Sequence, residues 1–448
     1  MNAYSGNILG ENVPRYTSYP TAPHFHAGVG EAQAREWVAR LGPGDAVSLY
    51  VHVPYCDKLC WFCACHTKHT LRYEPVAAFL KALRAEIALV APLLPQEVRL
   101  DAIHFGGGSP TLLLPEDFVA LTAALRSAFP AGDGAALSVE IDPNDMDEAR
   151  LDALAAAGLA RASIGVQDFD PRVQRAINRL QSFELTRTVV EGVRARGATS
   201  VNLDLLYGLP HQTVDSVAET ARLALSLRPE RIALFGYAHV PWFKKHQTMI
   251  DEASLPDAAE RLAQSQEAAA LIVAAGYRAI GIDHFALPGD RLAEAALHGR
   301  LRRNFQGYTD DQCETLIGLG PSSVSRFRQG YVQNVAATGE YEKTVLAGRL
   351  PAARGIALSR EDAAEAWLIE RLMCDFGFSA EELLRRFGEY GRSLLGQATD
   401  LARQEPESLM ECAGRFSVPP ARRPLVRTVA ARFDRYLRKG AARHSAAV

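Results

Sequence analysis

Four of the seven cysteines lie within one run of ten residues, Cys56-Asp-Lys-Leu-Cys60-Trp-Phe-Cys63-Ala-Cys65. The other three cysteines are scattered singly along the chain. Spacings of three and two intervening residues suit thiolates that converge on one metal cluster from a short loop. We therefore predict that Cys56, Cys60 and Cys63 bind three irons of a [4Fe–4S] cluster. The fourth iron would keep an open position, where chemistry can take place.

Two other interpretations of this run are weaker. A disulfide framework is disfavoured because we see no signal peptide and the chain is too long to depend on disulfides for its stability. A structural zinc site usually has paired ligands in two separated clusters, and no second CxxC or HxxxH pair occurs. His66 and His69 lie close by, so zinc is retained as the alternative metal.

Composition narrows the class of protein. The 448 residues suggest one large catalytic domain with one or two smaller units, and the 48% hydrophobic content allows a sizeable core. A net charge of −3 argues against a nucleic-acid-binding surface that spans the whole molecule. No apolar run reaches the length of a membrane span. We expect a protein of the cytoplasm, where a reducing environment keeps the cysteines as thiols.

Short β-rich runs alternate with apolar-periodic helices, which predicts a parallel sheet covered by helices. The predicted strands are Val47–Val53, Leu100–Phe105, Leu137–Ile141, Ala162–Val166, Val201–Tyr207 and Ile232–Tyr237. The predicted helices are Val76–Ala91, Pro115–Ala128, Asp147–Ala157, Phe183–Arg196 and Val214–Leu227, followed by Ala258–Ala275 and a short run, Tyr277–Asp283. Six repeats are fewer than the eight of a closed barrel, so we expect an open, partial (β/α)6 barrel.

Beyond the barrel the pattern changes. From about residue 355 it is helical, with helices predicted at Arg360–Phe376, Ala380–Phe387 and Val426–Arg438 and a short hairpin within Ser408–Ser417. We therefore expect three parts: an N-terminal arm over residues 1–35, the barrel with its extension over 36–335, and a mainly α-helical C-terminal domain over 336–448. The arm either moves freely or folds over the mouth of the barrel.

Each predicted strand ends in polar or glycine-rich residues, which a (β/α) architecture gathers at one edge. Gly106-Gly107-Gly108 could cradle a carboxylate or an ammonium group with its backbone. We expect Asp142 to cap a helix. Asp204 lies inside an apolar strand and needs a partner, which a cofactor or Arg179 could supply.

Together these motifs resemble the oxygen-independent coproporphyrinogen III oxidases, a family of radical S-adenosylmethionine (SAM) enzymes. The resemblance runs from about Pro14 to Leu437. It rests on the cysteine run, Gly106–Thr111, Glu140–Pro143, Gly165–Phe169, Asp204–Pro210, Tyr237–His239, Arg303–Tyr308, Pro14–Pro20 and Phe433–Leu437. The resemblance implies that a [4Fe–4S] cluster cleaves SAM to a 5′-deoxyadenosyl radical. That radical would drive oxidative decarboxylation of two propionates of coproporphyrinogen III, giving protoporphyrinogen IX in haem biosynthesis.

The resemblance also implies two SAM molecules and their contacts. The first SAM would contact Tyr50, Gly107, Glu140 and Val324. The second would contact Phe62, Gly108, Ser109, Gln167, Arg179, Asp204 and Ala238. Ser109 stands where some relatives have threonine, and Val324 where they have isoleucine. Cys65 is not expected to bind the cluster; it is either a small buried residue or has a role near the second SAM.

The substrate of this family carries four carboxylates, so cationic partners are needed. Arg15, Arg302 and Arg303 lie in matching segments and are expected to pair with propionates. The alternative is a haem-binding or haem-modifying radical SAM relative. The presence of Cys65 and of the segment Pro14–Pro20 favours the oxidase. We expect an electron donor and an electron acceptor that no motif identifies, and a monomer.

Overall fold

Strands that alternate with helices dominate the computed structural model, which describes residues 11–129 and 131–437. The strands are β1 (Ala46–Val53), β2 (Tyr55–Cys56), β3 (Lys68–His69), β4 (Arg99–Gly107), β5 (Ala131–Ile141), β6 (Leu159–Gln167), β7 (Ser200–Tyr207), β8 (Arg231–Gly236), β9 (Arg278–Ile280), β10 (His284–Ala286), β11 (Arg302–Asn304), β12 (Gly307–Thr309), β13 (Thr315–Leu319), β14 (Val324–Phe327), β15 (Gly330–Asn334), β16 (Ala352–Ala357), β17 (Gly377–Ser379), β18 (Met410–Cys412) and β19 (Arg415–Ser417). The helices are α1 (Glu31–Ala39), α2 (Glu74–Val90), α3 (Pro115–Ala128), α4 (Glu148–Ala156), α5 (Pro171–Ala176), α6 (Phe183–Ala195), α7 (Val214–Ser226), α8 (Ala258–Ala274), α9 (Arg291–Leu297), α10 (Thr338–Leu346), α11 (Arg360–Asp375), α12 (Ala380–Gln404) and α13 (Val426–Ala431).

The six predicted βα repeats are present. β1, β4, β5, β6, β7 and β8 lie side by side in that order and run parallel, with helices in the connections. Their aliphatic residues are buried, as Leu49, Val51 and Ile103 show. Apolar strands of this kind form when helices cover a parallel sheet. The prediction of an open, partial (β/α)6 barrel is confirmed.

The sheet extends beyond these repeats at both edges. In the described chain it has twelve strands, in the order β16-β15-β14-β13-β1-β4-β5-β6-β7-β8-β10-β9. β13 pairs in parallel with β1, so that Gly318 lies opposite Tyr50. The predicted run Tyr277–Asp283 contains the edge strand β9. The sequence did not predict β13 to β16, because these strands have at most six residues and β13 pairs with a strand more than 250 residues earlier.

The C-terminal helices differ in length from the prediction. α12 continues to Gln404 and is broken at Gly388, whose φ of 54° and ψ of −118° are not helical. α13 ends at Ala431 instead of Arg438, which lies outside the described residues. Beyond it, the Asp434 carboxylate accepts the backbone N–H groups of Tyr436 and Leu437, a turn that competes with helix. The predicted short hairpin is confirmed as β18 and β19.

The N-terminal segment packs against these helices. Tyr16 and Tyr19 are buried in a core that also contains Leu368 of α11 and Phe416 of β19. Part of the arm is therefore held against the C-terminal helices, while residues 1–10 lie outside the described residues. That the arm covers the mouth of the barrel stays a prediction. The division of the chain at residues 35 and 335 stays a prediction.

Within the described residues, none of the helices combines the length and the apolar character that a bilayer span requires.

Candidate functional site

The cysteine run forms a loop at the carboxyl end of β1. The loop closes where β2 pairs with β3, with Lys68 N–H donating to the Pro54 carbonyl at 2.8 Å and Thr70 N–H to the Cys56 carbonyl at 2.9 Å. Cys56, Cys60, Cys63 and Cys65 then line one cavity of about 200 Å³, which we call the thiol pocket.

The three predicted iron ligands surround a space. In the described chain, no three His, Cys, Asp or Glu side chains meet closely enough to bind one metal ion. Three thiols that line one pocket are the type of donor that a [4Fe–4S] cluster uses. Cys65 is exposed at the rim, so the interpretation of it as a small buried residue is wrong.

Polar partners contact the thiols. The Cys56 Sγ lies 3.1 Å from Thr67 Oγ1, and Cys63 Sγ accepts the Cys65 N–H at 3.3 Å. Burial raises the pKa of the Cys56 thiol to about 12, whereas a hydrogen bond with the Cys65 side chain lowers that of Cys63 to about 7. Metal binding would therefore have to displace protons from this pocket, as thiolate sites in general require.

The glycine turn after β4 brings the backbone against the cysteine loop. A Cβ at Gly108 would lie 2.4 Å from the Tyr55 carbonyl oxygen, and Gly107 has a φ of +111°. Only glycine fits such contacts without displacing the chain. The N–H groups of Gly107, Gly108 and Ser109 already donate to the Glu140 carboxylate and to the carbonyls of Val53 and Tyr55. The turn thus permits close approach, but these donors do not form the carboxylate cradle that we expected.

Arg179 joins three parts of the thiol pocket. It donates to the Asp142 carboxylate at 2.7 Å, to the Gly165 carbonyl at 2.8 Å and to Cys60 Sγ at 3.6 Å. The arginine is buried, so the ion pair with Asp142 fixes its guanidinium beside the thiol. Asp142 also accepts the Asn144 N–H, which confirms its predicted capping role.

Asp204 has partners other than the predicted one. Its carboxylate accepts hydrogen bonds from Asn202 Nδ2 at 2.7 Å and Ser163 Oγ at 3.0 Å. Burial raises the pKa of Asp204 to about 6. The idea that Arg179 neutralises Asp204 is therefore wrong, because Arg179 is already paired with Asp142.

The other predicted contacts lie around the same edge. Glu140, Gln167 and Phe62 line the thiol pocket. Gln167 has a φ of 68° at a shift in the pairing of β6 with β7, a strained conformation of the kind that clusters at functional sites. Ser109 also lines the pocket, but its hydroxyl donates to the Asp145 carboxylate.

Three of the predicted SAM contacts, Tyr50, Ala238 and Val324, lie outside the lining of the thiol pocket. Ala238 is tied to Phe62, because Gln247 Nε2 donates to both of their carbonyls. The ring of Tyr50 stacks on His104 at 5.8 Å. Val324 lies against Gly318, the residue paired with Tyr50 in the sheet.

A second, larger cavity adjoins the thiol pocket. It has about 300 Å³, lies over the parallel strands, and is called the inner cavity here. Glu140, Ser163 and Asp204 line both spaces, while His284 and Tyr308 line only the inner cavity. The two spaces therefore meet at side chains that carry oxygen atoms.

The three predicted substrate arginines have different surroundings. Arg303 is buried and stacks on Tyr308 at 4.4 Å, with its Nη2 donating to the Arg15 carbonyl at 3.3 Å. Arg302, its neighbour on β11, forms an ion pair with Glu370 at 3.2 Å. The structure brings Arg15 and Arg303 together and leaves Arg302 with a partner of its own.

Two residues of the site, His52 and His104, were missed in the sequence analysis. His52 and His104 flank Tyr50, and the His104 Nε2 lies 3.2 Å from the Glu140 carboxylate. Burial lowers the pKa of His52 to about 4, which keeps it neutral at physiological pH. Both histidines lie within predicted strands, where a polar residue at every second position could have suggested them.

Comparisons with known proteins agree with this geometry. Residues 50–224 match the family model of the radical SAM superfamily. The oxygen-independent coproporphyrinogen III oxidase of Paracoccus denitrificans is 52% identical over 98% of this chain and 98% of its own. That of Pseudomonas aeruginosa is 39% identical, covering 95% of this chain and 93% of its own.

A solved structure shares the whole fold. Coproporphyrinogen III oxidase from Escherichia coli, described as a radical SAM enzyme, aligns with a TM-score of 0.89. It is 36% identical, and the alignment covers 95% of this chain and 100% of that chain.

Proposed function

This chain belongs to the oxygen-independent coproporphyrinogen III oxidases, a family of radical SAM enzymes, and from that premise we propose how its residues share the reaction. It is an oxidoreductase that converts two propionate side chains of coproporphyrinogen III into vinyl groups. Each conversion removes one hydrogen atom, one CO₂ and one electron, and two of them give protoporphyrinogen IX. The observation that carries the proposal is the junction of the thiol pocket with the inner cavity at Glu140 and Asp204.

Cys56, Cys60 and Cys63 are proposed to hold a [4Fe–4S] cluster. When bound, this cluster with SAM supplies a 5′-deoxyadenosyl radical that takes a hydrogen atom from the β-carbon of a propionate. The chain contributes position and shielding: Arg179 fixes the loop beside Cys60, and the glycine turn holds it against β4. Both act by orienting groups rather than by reacting.

We propose two SAM positions around this pocket. The first lies against Tyr50, Gly107, Glu140 and Val324. The second lies against Phe62, Gly108, Ser109, Gln167, Arg179, Asp204 and Ala238. The contiguity of the two cavities supports room for more than one ligand, and the acceptor oxygens of Glu140 and Asp204 suit ribose hydroxyls or an ammonium group. Ser109 would contribute by packing, because its hydroxyl is bonded to Asp145 and its backbone N–H to the Tyr55 carbonyl.

Further properties complete the proposal. We propose that the protein lies in the cytoplasm, because its seven cysteines are free thiols and need a reducing compartment. We also propose that it is a monomer. A one-electron donor must reduce the cluster, and an acceptor must take the electron that decarboxylation releases. Three parts, bounded at residues 35 and 335, remain our proposed division of the chain.

An anaerobic assay tests the function. The cluster is reconstituted, and SAM, a reductant, an electron acceptor and coproporphyrinogen III are added. The products are then identified by chromatography and mass spectrometry. We expect protoporphyrinogen IX and 5′-deoxyadenosine from the wild type and neither from Cys60→Ser. Cys412→Ser, a change at an exposed thiol in the β18–β19 hairpin, is the matched control and is expected to behave as wild type.

The other outcomes also decide between functions. SAM cleavage without a vinyl product would contradict the decarboxylase assignment and favour a haem-binding or haem-modifying relative. Failure to assemble a cluster would contradict the assignment of Cys56, Cys60 and Cys63 and leave zinc as the metal to test.

A further inference from the structure

Four arginines lie together beside the carboxyl ends of β7 and β8. They come from the N-terminal segment, α8, β11 and α13, so no motif contains two of them. We call Arg15, Arg261, Arg303 and Arg427 the guanidinium cluster. Tyr207, the last residue of β7, lies among them: the guanidinium of Arg261 is 5.9 Å from its ring, and the charges of Arg15 and Arg427 both act on its hydroxyl.

Backbone carbonyls hold the cluster at the end of the barrel. Arg15 Nη2 donates to the Gly236 carbonyl at 2.8 Å, and Arg261 Nη2 donates to the Tyr237 carbonyl at 2.7 Å. Arg303 in turn donates to the carbonyl of Arg15. These contacts orient the cations, and because carbonyls carry no net charge they leave the positive charge in place.

Among the described residues, the carboxylate of Asp283 acts on three members of the cluster, Arg15, Arg303 and Arg427. It lies 4.0 Å from Arg303, and it also bonds His284. Arg303 is 7% exposed, yet its Nε and Nη1 have no hydrogen-bond partner within residues 11–129 and 131–437. Burial, together with the charges of Arg15 and Arg303, lowers the pKa of Arg427 to about 10, so it stays protonated at neutral pH. A buried cation with unused donors is costly unless an anion binds it.

The cluster lies next to two residues that line the inner cavity. Tyr308 and His284 line that cavity, and behind them Arg303 stacks on Tyr308 while Asp283 bonds His284. None of the four arginines lines the thiol pocket. A carboxylate held by the cluster therefore lies outside the lining of the pocket where hydrogen abstraction is proposed.

We propose that the guanidinium cluster binds the two propionates of coproporphyrinogen III that do not react and that the product retains. This inference rests on the proposed function. The two retained propionates sit on neighbouring pyrrole rings, so one compact cationic site can take both. Guanidinium groups form strong charge-assisted hydrogen bonds with carboxylates, and Arg303 Nε and Nη1 have no partner among the described residues.

The proposal changes the residues assigned to the substrate. Arg261 and Arg427 join Arg15 and Arg303, whereas Arg302 is removed because it pairs with Glu370. Arg302 and Arg303 are adjacent on β11, and successive side chains of a strand point to opposite faces. Arg302→Gln is therefore a matched control for Arg303→Gln.

Equilibrium binding to stable porphyrins tests the assignment. The reconstituted holoenzyme is titrated with coproporphyrin III, protoporphyrin IX and protoporphyrin IX dimethyl ester, and the dissociation constants are read from fluorescence. Protoporphyrin IX carries only the two retained propionates. We expect Arg303→Gln and Arg15→Gln to weaken both free acids by about tenfold or more, the effect of losing hydrogen bonds to a charged group. Arg302→Gln should leave both affinities unchanged, and the dimethyl ester should bind wild type and Arg303→Gln equally.

Each contrary result has its own meaning. Weaker binding of coproporphyrin III alone would assign the cluster to the reacting propionates and overturn the proposal. Unchanged affinities in both variants would overturn any carboxylate role. Arg15 is exposed, so its variant tests the site even where loss of the buried Arg303 disturbs folding. If the wild type forms no protoporphyrinogen IX, the proposed function fails; normal turnover with unchanged affinities in the variants contradicts the cluster alone.

Discussion

The thiol pocket and the guanidinium cluster lie at the same edge of one sheet, but they are encoded differently. The four thiols come from ten consecutive residues, and short turns after neighbouring strands complete their pocket. The four arginines come from positions 15, 261, 303 and 427 and meet only when the chain has folded. The comparison suggests that cofactor chemistry can be specified locally, whereas recognition of a large substrate depends on the tertiary structure.

The largest expected effect is loss of the metal cluster from the thiol pocket while the guanidinium cluster keeps its function. Cys63→Ser should abolish the visible absorbance of the reconstituted cluster and the formation of 5′-deoxyadenosine, because three thiolates are needed to hold three irons. The same variant should still bind coproporphyrin III as the wild type does. Arg303→Gln should show the opposite pattern. Loss of SAM cleavage in Arg303→Gln would contradict the independence of the two regions.

A smaller effect is expected at the glycine turn. Gly108→Ala places a Cβ 2.4 Å from the Tyr55 carbonyl oxygen and 2.6 Å from Thr67 Oγ1, so the cysteine loop must move. Turnover should fall by about 100-fold, the scale of a displacement of about 1 Å in an active site. Gly339→Ala, in α10 with no atom near its Cβ, is the control and should keep full activity. Steady-state rates decide, and normal turnover in Gly108→Ala would show that the turn does not position the loop.

A buried carboxylate that titrates holds the end of β13, the strand that pairs with β1. Glu86 is buried, and its carboxylate accepts hydrogen bonds from Gly320 N–H at 2.7 Å, Asn334 Nδ2 at 2.7 Å and Tyr341 Oη at 2.6 Å. Burial raises the pKa of Glu86 from 4.5 to about 7. Between these values the native state keeps a proton that the unfolded chain releases, so this group makes the protein less stable as pH rises.

Glu86→Gln removes that titration. From pH 5 to pH 8 the free energy of unfolding of the variant should change relative to wild type by about 3 kcal/mol, in favour of the variant. Urea unfolding followed by tryptophan fluorescence at each pH measures the difference. A difference that stays constant across this range would mean that Glu86 does not change its protonation there.

The smallest effect is expected near the guanidinium cluster, where the N-terminal segment that carries Arg15 is anchored. The Tyr19 hydroxyl donates to the Glu365 carboxylate at 2.6 Å and accepts the Arg435 N–H at 3.2 Å. Tyr19→Phe should reduce stability by about 1 to 3 kcal/mol, because it leaves buried partners unsatisfied. It should also weaken porphyrin binding slightly through Arg15 without changing SAM cleavage. Urea unfolding and the porphyrin titration measure these two effects. An equal loss of SAM cleavage would contradict the independence of the thiol pocket and the guanidinium cluster.

What the sequence could predict follows the same division. The six βα repeats were predictable because continuous apolar strands and periodic helices are local patterns, and Cys56, Cys60 and Cys63 because their spacing is itself a ligand pattern. β13 was missed because a run of five buried residues is recognised as a strand only when its pairing with β1 is known. Arg179, one of the two partners predicted for Asp204, was wrong for a similar reason. The side chains that satisfy Asp204, Asn202 and Ser163, carry no charge and have no motif.

The anchoring of the N-terminal segment has a consequence for biosynthesis. Tyr16 and Tyr19 donate their hydroxyls to Asp434 and Glu365, residues that the ribosome adds more than 340 positions later. The residues that line the thiol pocket or bond the carbonyls of its cysteine loop end at Gln247, so that pocket can be completed while the rest of the chain is still being translated. The guanidinium cluster is complete only after Arg427 has been added to the chain. A nascent or prematurely terminated chain could thus acquire its metal before it could retain a porphyrinogen, and only a finished polypeptide would bring the two together.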